Sequence, residues 1–469
     1  MKAKCYLGSL ITLIIIIGSS SCKKLVEVEA PITSVNQSLV YGSDAQAIAV
    51  LTGIYTNMST ANFDFSSGIT STSLICGLSA DELVPINTNN QHRNEYYTNS
   101  LNSETSNIWA SMYNTIYVAN AAIEGITTST TLTSAVKQQL LGEGKFIRAL
   151  CYFYLINLYG DVPLALSTDY KKNSTLPRNS VESVYSQVIL DLKDAKSLLS
   201  SNYLDATLLN VTSERVRPTK GAAMALLARV YLFNKDYAEA EMEASDLINQ
   251  NSKYKLVGLD SVFLKNNSEA IWQILPTGSA GNFTANTKEG LLFIPITNVT
   301  DVYLNHSLIN AFEIGDQRKL KWIGTFTGVQ YPNKYKIGRV NSTSVEYSTI
   351  LRLGEVYLVR AEARAYQGKL VGVHSAMEDL DKIRRRAGLD GTTSTTLGQM
   401  QRAILHERQV ELFTEMGHRW LDLKRTETAD AVLLEIKGAT WQLTDQLYPL
   451  PATEILRNPS ISGYQNPGY

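Results

Sequence analysis

The sequence predicts a mainly α fold: a tetratricopeptide-like helical array (α/α superhelix) with an irregular, loop-rich subdomain packed on it. Three observations carry that prediction. Ile404–Arg425 sets Leu405, Leu412, Phe413, Met416, Trp420 and Leu423 at intervals of three, four and seven, one apolar stripe of a helix. Lys220–Asn249 and Tyr347–Ala387 each read as helix, turn, helix, with small residues and tyrosines where paired helices approach closely. Residues 252–345 abandon helical periodicity for glycine, asparagine and isolated aromatics.

Composition sets the outer limits. The 469 residues are ample for a large core, and 44% hydrophobic with 19% charged residues is ordinary for a folded chain. A formal net charge of −1 argues against nucleic acid, which demands a basic surface. The 25 tyrosines, with many loop asparagines, serines and threonines, suit neutral polar ligands bound by stacking and hydrogen bonds. They also suit any secreted surface.

Residues 1–21 read as a leader: Lys2 and Lys4 precede the apolar run Leu7–Gly18, too short for the ~20 residues of a membrane-spanning helix. Ser19-Ser20-Ser21 then places small residues before Cys22, the pattern of a lipidated cysteine, with a plain secretory leader as the alternative. Residues 22–40 form a charged tether, and 41–469 one domain, with its scaffold at about 104–250 and 346–425. Of the remaining cysteines, Cys151 sits in an aromatic helix and reads as core, and pairing with Cys76 stays open.

Helices follow at 44–60 and 106–126, with Trp109 on the core face of the second. Between them Ser66–Ser103 reads as irregular and polar, and long irregular segments in compact domains tend to carry function. Asp81, Asn89, His92, Arg93, Tyr96, Tyr97 and Asn99 are its ligand candidates. A sugar has an apolar C–H face and a polar rim, so flat rings beside Asn, Asp, Arg or His match it. Gln138–Tyr159 and Val181–Leu199 are further helices. Ala228, Tyr231, Ala240 and Ala244, then Ala363, Tyr366 and Ala376, occupy the repeat contact positions, with the tyrosines filling the seams. Within 252–345, Ala270–Leu275 is a short strand, and Asn282, Phe283 and Trp322 stand among polar neighbours. Phe283 and Trp322 read either as stacking rings or as packed core.

No catalytic motif survives inspection. His406-Glu407 opens like HExxH, but Val410 stands where the second ligand belongs. Gly144-Lys145 is followed by Phe146 rather than Ser or Thr, so it is not a phosphate loop. A glycosidase needs two carboxylates roughly 5–10 Å apart across a substrate, and adjacent Asp81 and Glu82 cannot both face one from a regular element. The chain is read as a non-enzyme, with no cofactor and no metal. Glu407, Glu411, Glu415 and Arg419, four apart, read instead as a charged network locking the helix into the array.

Four pieces in order carry a resemblance: Tyr347–Gly368, Ala376–Leu389, Glu407–Arg425 (ERQVELFTEMGHRWLDLKR) and Leu447–Tyr469, ending in Gln465-Asn466-Pro467-Gly468-Tyr469. Together they resemble the SusD/RagB-like family of outer-membrane nutrient-binding lipoproteins. The resemblance implies lipidation at Cys22, a cell-surface location on the outer membrane and a TonB-dependent transporter as partner. It further implies a carbohydrate ligand, with a peptide as the alternative, and a pocket completed by the 252–345 region; a glycoside hydrolase is the rival reading from a different class. A protein-interaction scaffold is compatible with docking on a transporter.

Overall fold

The computed structural model describes residues 40–59, 72–87, 90–105, 108–277, 287–295, 302–338 and 344–469. The leader, Cys22 and nearly all of the tether lie outside these residues, as do Asn89, Asn282 and Phe283.

In chain order the elements begin with α1 (Asp44–Ser59), α2 (Thr72–Ser79), β1 (Leu83–Pro85), α3 (Gln91–Thr98), α4 (Ile108–Thr128) and α5 (Ser134–Tyr159). A short hairpin, β2 (Val162–Pro163) and β3 (Arg178–Asn179), brackets the one-turn helix α6 (Tyr170–Asn173). Next come α7 (Val181–Leu198), α8 (Lys220–Phe233), α9 (Tyr237–Ile248) and β4 (Ala270–Ile274). The less regular part holds α10 (Lys288–Phe293), β5 (Val302–Leu304), α11 (His306–Ala311), α12 (Gln317–Trp322), β6 (Ile323–Phe326) and β7 (Val329–Pro332). The chain closes through β8 (Ser348–Arg352), α13 (Leu353–Tyr366), α14 (Ala376–Arg386), α15 (Leu397–Leu412), α16 (His418–Arg425), α17 (Ala429–Lys437) and α18 (Ala452–Arg457).

The helical-array expectation holds. α4, α5, α7, α8, α9 and α13 pack each against the next, and α14 and α15 close on α13. α5 is the axle. Phe146 through Ile156 are buried without interruption, which a helix tolerates only when neighbours cover it on every side. Its end is set by Gly160, whose φ of +73° turns the chain away. Side-chain caps fix four of the starts: Ser180 on α7, Asp236 on α9, Ser375 on α14, and a Thr396–Gln399 capping box on α15.

Tertiary packing alters several sequence expectations. The segment read as an irregular stretch before residue 103 forms α2, whose eight residues are all buried, then β1 and α3. Tyr347–Ala387 begins as a strand, because β8 pairs antiparallel with β4 and carries the chain across the core before α13 starts. Tyr231 is buried as expected, but Tyr366 leaves its own seam and stacks on Tyr237 of the preceding hairpin, 4.2 Å between centroids. The Ile404–Arg425 stretch is two helices. α15 stops at Leu412, Thr414 and Met416 take left-handed φ values, and Gly417 (φ +73°) opens α16. A Cβ on Gly417 would sit 2.9 Å from Cys76 Sγ, so glycine there serves both conformation and contact. Cys76 and Cys151 are separate buried thiols.

The C-terminal motif has a structural role. Asn466 is buried and donates from Nδ2 to the carbonyls of Tyr159 (2.9 Å) and Tyr448 (2.8 Å). Arg178 Nη2 donates to its Oδ1 at 2.7 Å. The tail is thereby fastened to the end of α5.

Candidate ligand-binding face and the charged core beneath it

Glu411 is the centre of a buried ion network. Its carboxylate accepts from Arg318 Nη1 (2.9 Å), Arg352 Nη1 (2.6 Å) and Arg386 Nη2. Glu407 takes Arg318 Nη1 at 2.6 Å, and Glu415 takes Arg352 Nε at 2.6 Å together with the Lys334 ammonium. Burial alone would push the Glu411 carboxyl up; Arg386, Arg352 and Arg318 outweigh it and hold the group well below the usual carboxylate range. The same stretch pairs Arg408 with Asp422 and Arg425 with Glu362, tying α15 and α16 to each other and to α13. These groups lie in the interior, bonded to one another, so the signature is a clamp rather than a reaction centre.

Most ligand candidates before residue 103 are consumed by the same interior. Asp81 is buried and receives Arg419 Nε and Nη2, each at 2.7 Å, a fork-to-fork pair joining the α2–β1 turn to α16. Tyr96 is 2% exposed and meets the Tyr448 ring edge-on at 5.5 Å. Arg93 is buried, and Asn99 caps α3 in the left-handed conformation (φ 55°) while donating to the Ser79 carbonyl at 3.3 Å. Trp322 is 1% exposed, its indole N–H donating to the Leu259 carbonyl at 3.0 Å. Its ring lies edge-on to Phe263 and carries the Lys334 ammonium 4.9 Å from its centroid. The expectation of ligand-facing groups is corrected for Asp81, Arg93, Tyr96 and Asn99, and of the two readings of Trp322 the packed one is what the structure shows. Polar neighbours misled because α3 and α12 are short helices, whose outer faces are polar while the named residues turn inward.

His92 and Tyr97 remain near the surface. The His92 ring is half exposed, with Nδ1 3.9 Å from Glu95. Tyr97 is part-buried, with the Lys437 ammonium 5.6 Å from its ring centroid. Burial and the neighbouring Tyr303 phenol both raise the Tyr97 hydroxyl. Tyr303 lies on β5, opposite Val84 of β1 in an antiparallel pair. Sequence patterning does not single Tyr303 out, although Val302-Tyr303-Leu304 has the buried–open–buried alternation of a strand with one face outward. Tyr97 and Tyr303 are thus neighbours, and His92 shares α3 with Tyr97, while the Lys437 ammonium is spent on the Leu78 and Ser79 carbonyls and on Asn99 Oδ1.

Burial and the Asp81 charge push the Glu82 carboxyl up to about 8. An unfolded Glu ionises near ~4.3, so between that pH and about 8 the folded chain keeps a proton the unfolded chain has lost. Stability therefore falls as pH rises through this window. Glu82→Gln mimics the protonated form. Its stability relative to wild type should climb from about pH 5 to pH 8 and then level. Denaturant melts across pH test this; parallel profiles would contradict it.

Residues 36–232 match the SusD-like family described as starch-binding associating with outer membrane, and residues 311–469 match the SusD family. The chain belongs to the SusD/RagB-like family. It is 25% identical to SusD-like protein P2 of Formosa agariphila, across 94% of this chain and 96% of that one. With the starch-binding protein SusD of Bacteroides thetaiotaomicron it shares 24% identity over 72% of this chain and 74% of that protein. Among solved structures, a SusD superfamily protein from Bacteroides vulgatus matches with TM-score 0.77 at 20% identity, covering 91% and 99% of the two chains. A laminarin-binding SusD-like protein matches with TM-score 0.74 at 24% identity, covering 90% and 99%.

Proposed function

We propose that this protein is a surface-exposed outer-membrane lipoprotein that binds a glycan and delivers it to a TonB-dependent transporter without cleaving it. The observation that carries the reading is the pair of family matches, spanning residues 36–232 and 311–469, the first to a starch-binding outer-membrane family. The similarity to a laminarin-binding protein points to the same ligand class. Cys22 carries the lipid anchor. His92, Tyr97 and Tyr303 hold the ligand together with Asn89, Asn282 and Phe283, the sequence candidates outside the described residues.

The physical logic is differential wetting. A tyrosine ring offers a flat apolar surface to the C–H face of a sugar, while His92 supplies a hydrogen-bonding group for hydroxyls at the rim. Sites of this kind hold ligands with ~4–8 kcal/mol, about millimolar to micromolar. Tyr97→Ala and Tyr303→Ala should weaken binding of the cognate oligosaccharide about tenfold or more, ~1.4 kcal/mol per decade, measured on the folded protein well below each variant's melting temperature. Wild-type affinity in both variants would place the site elsewhere.

Anchoring has its own test. Metabolic labelling with a palmitate analogue should tag the wild type and leave Cys22→Ala unlabelled. Equal labelling of both would contradict lipidation at that position.

A further inference from the structure

We propose that a cleft between α4, the 163–176 segment and α18 is a second saccharide subsite, sharing no lining residue with the Tyr97 face. The proposal rests on the glycan-binding reading and adds a location to it. The cleft encloses about 310 Å³, at the lower end of the ~300–1,000 Å³ typical of small-ligand sites.

Its floor is aromatic and fixed. The part-buried Tyr113 ring faces the cleft, backed at 4.8 Å by Trp109, which at 1% exposure supports it from behind and is itself held edge-on by Tyr159 at 5.0 Å. The Tyr113 hydroxyl donates to the Pro163 carbonyl at 2.7 Å, and Asn120 Nδ2 donates to the Ala165 carbonyl at 3.0 Å. The far wall is fastened to the C-terminal segment, where Asn458 Nδ2 donates to the Leu176 carbonyl and Ser460 Oγ to the Thr175 carbonyl, each at 2.8 Å. The cavity therefore exists before any ligand arrives, which lowers the entropic cost of binding.

The mouth supplies the recognition chemistry. Tyr117 and Tyr170 stand 55% and 73% exposed, unusually open for large rings beside a cavity. Their hydroxyls make no hydrogen bond among the described residues, and neither do the side chains of Glu454 and Arg457 on the same rim. Two phenols, a carboxylate and a guanidinium around an aromatic floor match a ring with one apolar face and hydroxyls at its edge. A purely apolar ligand would cover charged groups without pairing them, which is costly. A polyanion would have to sit against Glu454.

The test is calorimetric titration of the full mature chain with defined laminarin- and starch-derived oligosaccharides. It compares wild type, the double variant Tyr117→Ala/Tyr170→Ala, Tyr97→Ala, and the triple variant that combines them. Both cleft rings are exposed, so the double variant should melt like wild type. It should lose about tenfold or more in affinity, or lose one of two classes of site, and the loss should add to that of Tyr97→Ala. Wild-type binding by the double variant alongside impaired Tyr97→Ala would overturn the cleft and leave the glycan reading standing. No saccharide binding by wild type would overturn both. A short peptide displacing saccharide from the cleft, or binding there in its place, would overturn the assigned ligand class.

Discussion

Glu411→Ala should destabilise the fold by ~3–5 kcal/mol, the cost of leaving buried charges without their partner. Three guanidinium groups, from Arg318, Arg352 and Arg386, converge on this carboxylate, and all four residues are almost fully buried. Removing it leaves buried guanidinium N–H groups without an acceptor at the junction of α12, β8, α14 and α15. Each arginine keeps other carboxylates, Asp316 and Glu407 on Arg318, Glu269 and Glu415 on Arg352 and Glu269 on Arg386, but these are already engaged and cannot replace the bonds lost at Glu411. Glu378→Ala is the control. Its charged partner Lys382 is an exposed neighbour one turn away, a pair worth ~0–1 kcal/mol, and Glu378 also accepts the His374 backbone N–H at an exposed site. Chemical denaturation checks both. Equal, small losses would mean that the network is not what holds the array together.

Trp322→Ala should cost ~3–5 kcal/mol in stability, the range for deleting a large buried ring. The indole fills space between Phe263, Phe413 and the Lys334 ammonium and satisfies the Leu259 carbonyl. Truncation leaves a cavity and an acceptor without its donor. In whatever fraction stays folded, oligosaccharide affinity should be unchanged, because the ring reaches no solvent. Wild-type melting with lost binding would restore Trp322 as a stacking residue.

Local periodicity made the array legible. α4, α5, α7, α8 and α9 announce themselves through apolar spacing and punctuating residues such as Gly160, and the charged stripe at Glu407–Arg419 was readable as a network. Its partners were not. Arg318, Arg352 and Arg386 come from three elements scattered across some seventy residues, a pairing that only the folded chain reveals. The binding face was harder still. Asp81 carries a residue type that recognises sugars, yet Arg419, 338 positions away, claims it. Tyr303 faces outward only because β5 pairs with β1, about 220 residues earlier in the chain. Burial of a polar residue is decided by its distant partner, and a single sequence does not print that partner.

The reading as a glycan-binding rather than glycan-cleaving protein meets its most direct test in one titration. Wild-type mature chain is titrated by calorimetry with a panel of neutral oligosaccharides, and each mixture is then assayed for new reducing ends. The expected result is saturable binding of at least one glycan at about micromolar to millimolar affinity, with no reducing ends released. Release of reducing ends would make the protein a hydrolase, and silence to every glycan alongside binding to a peptide library would make its ligand a peptide.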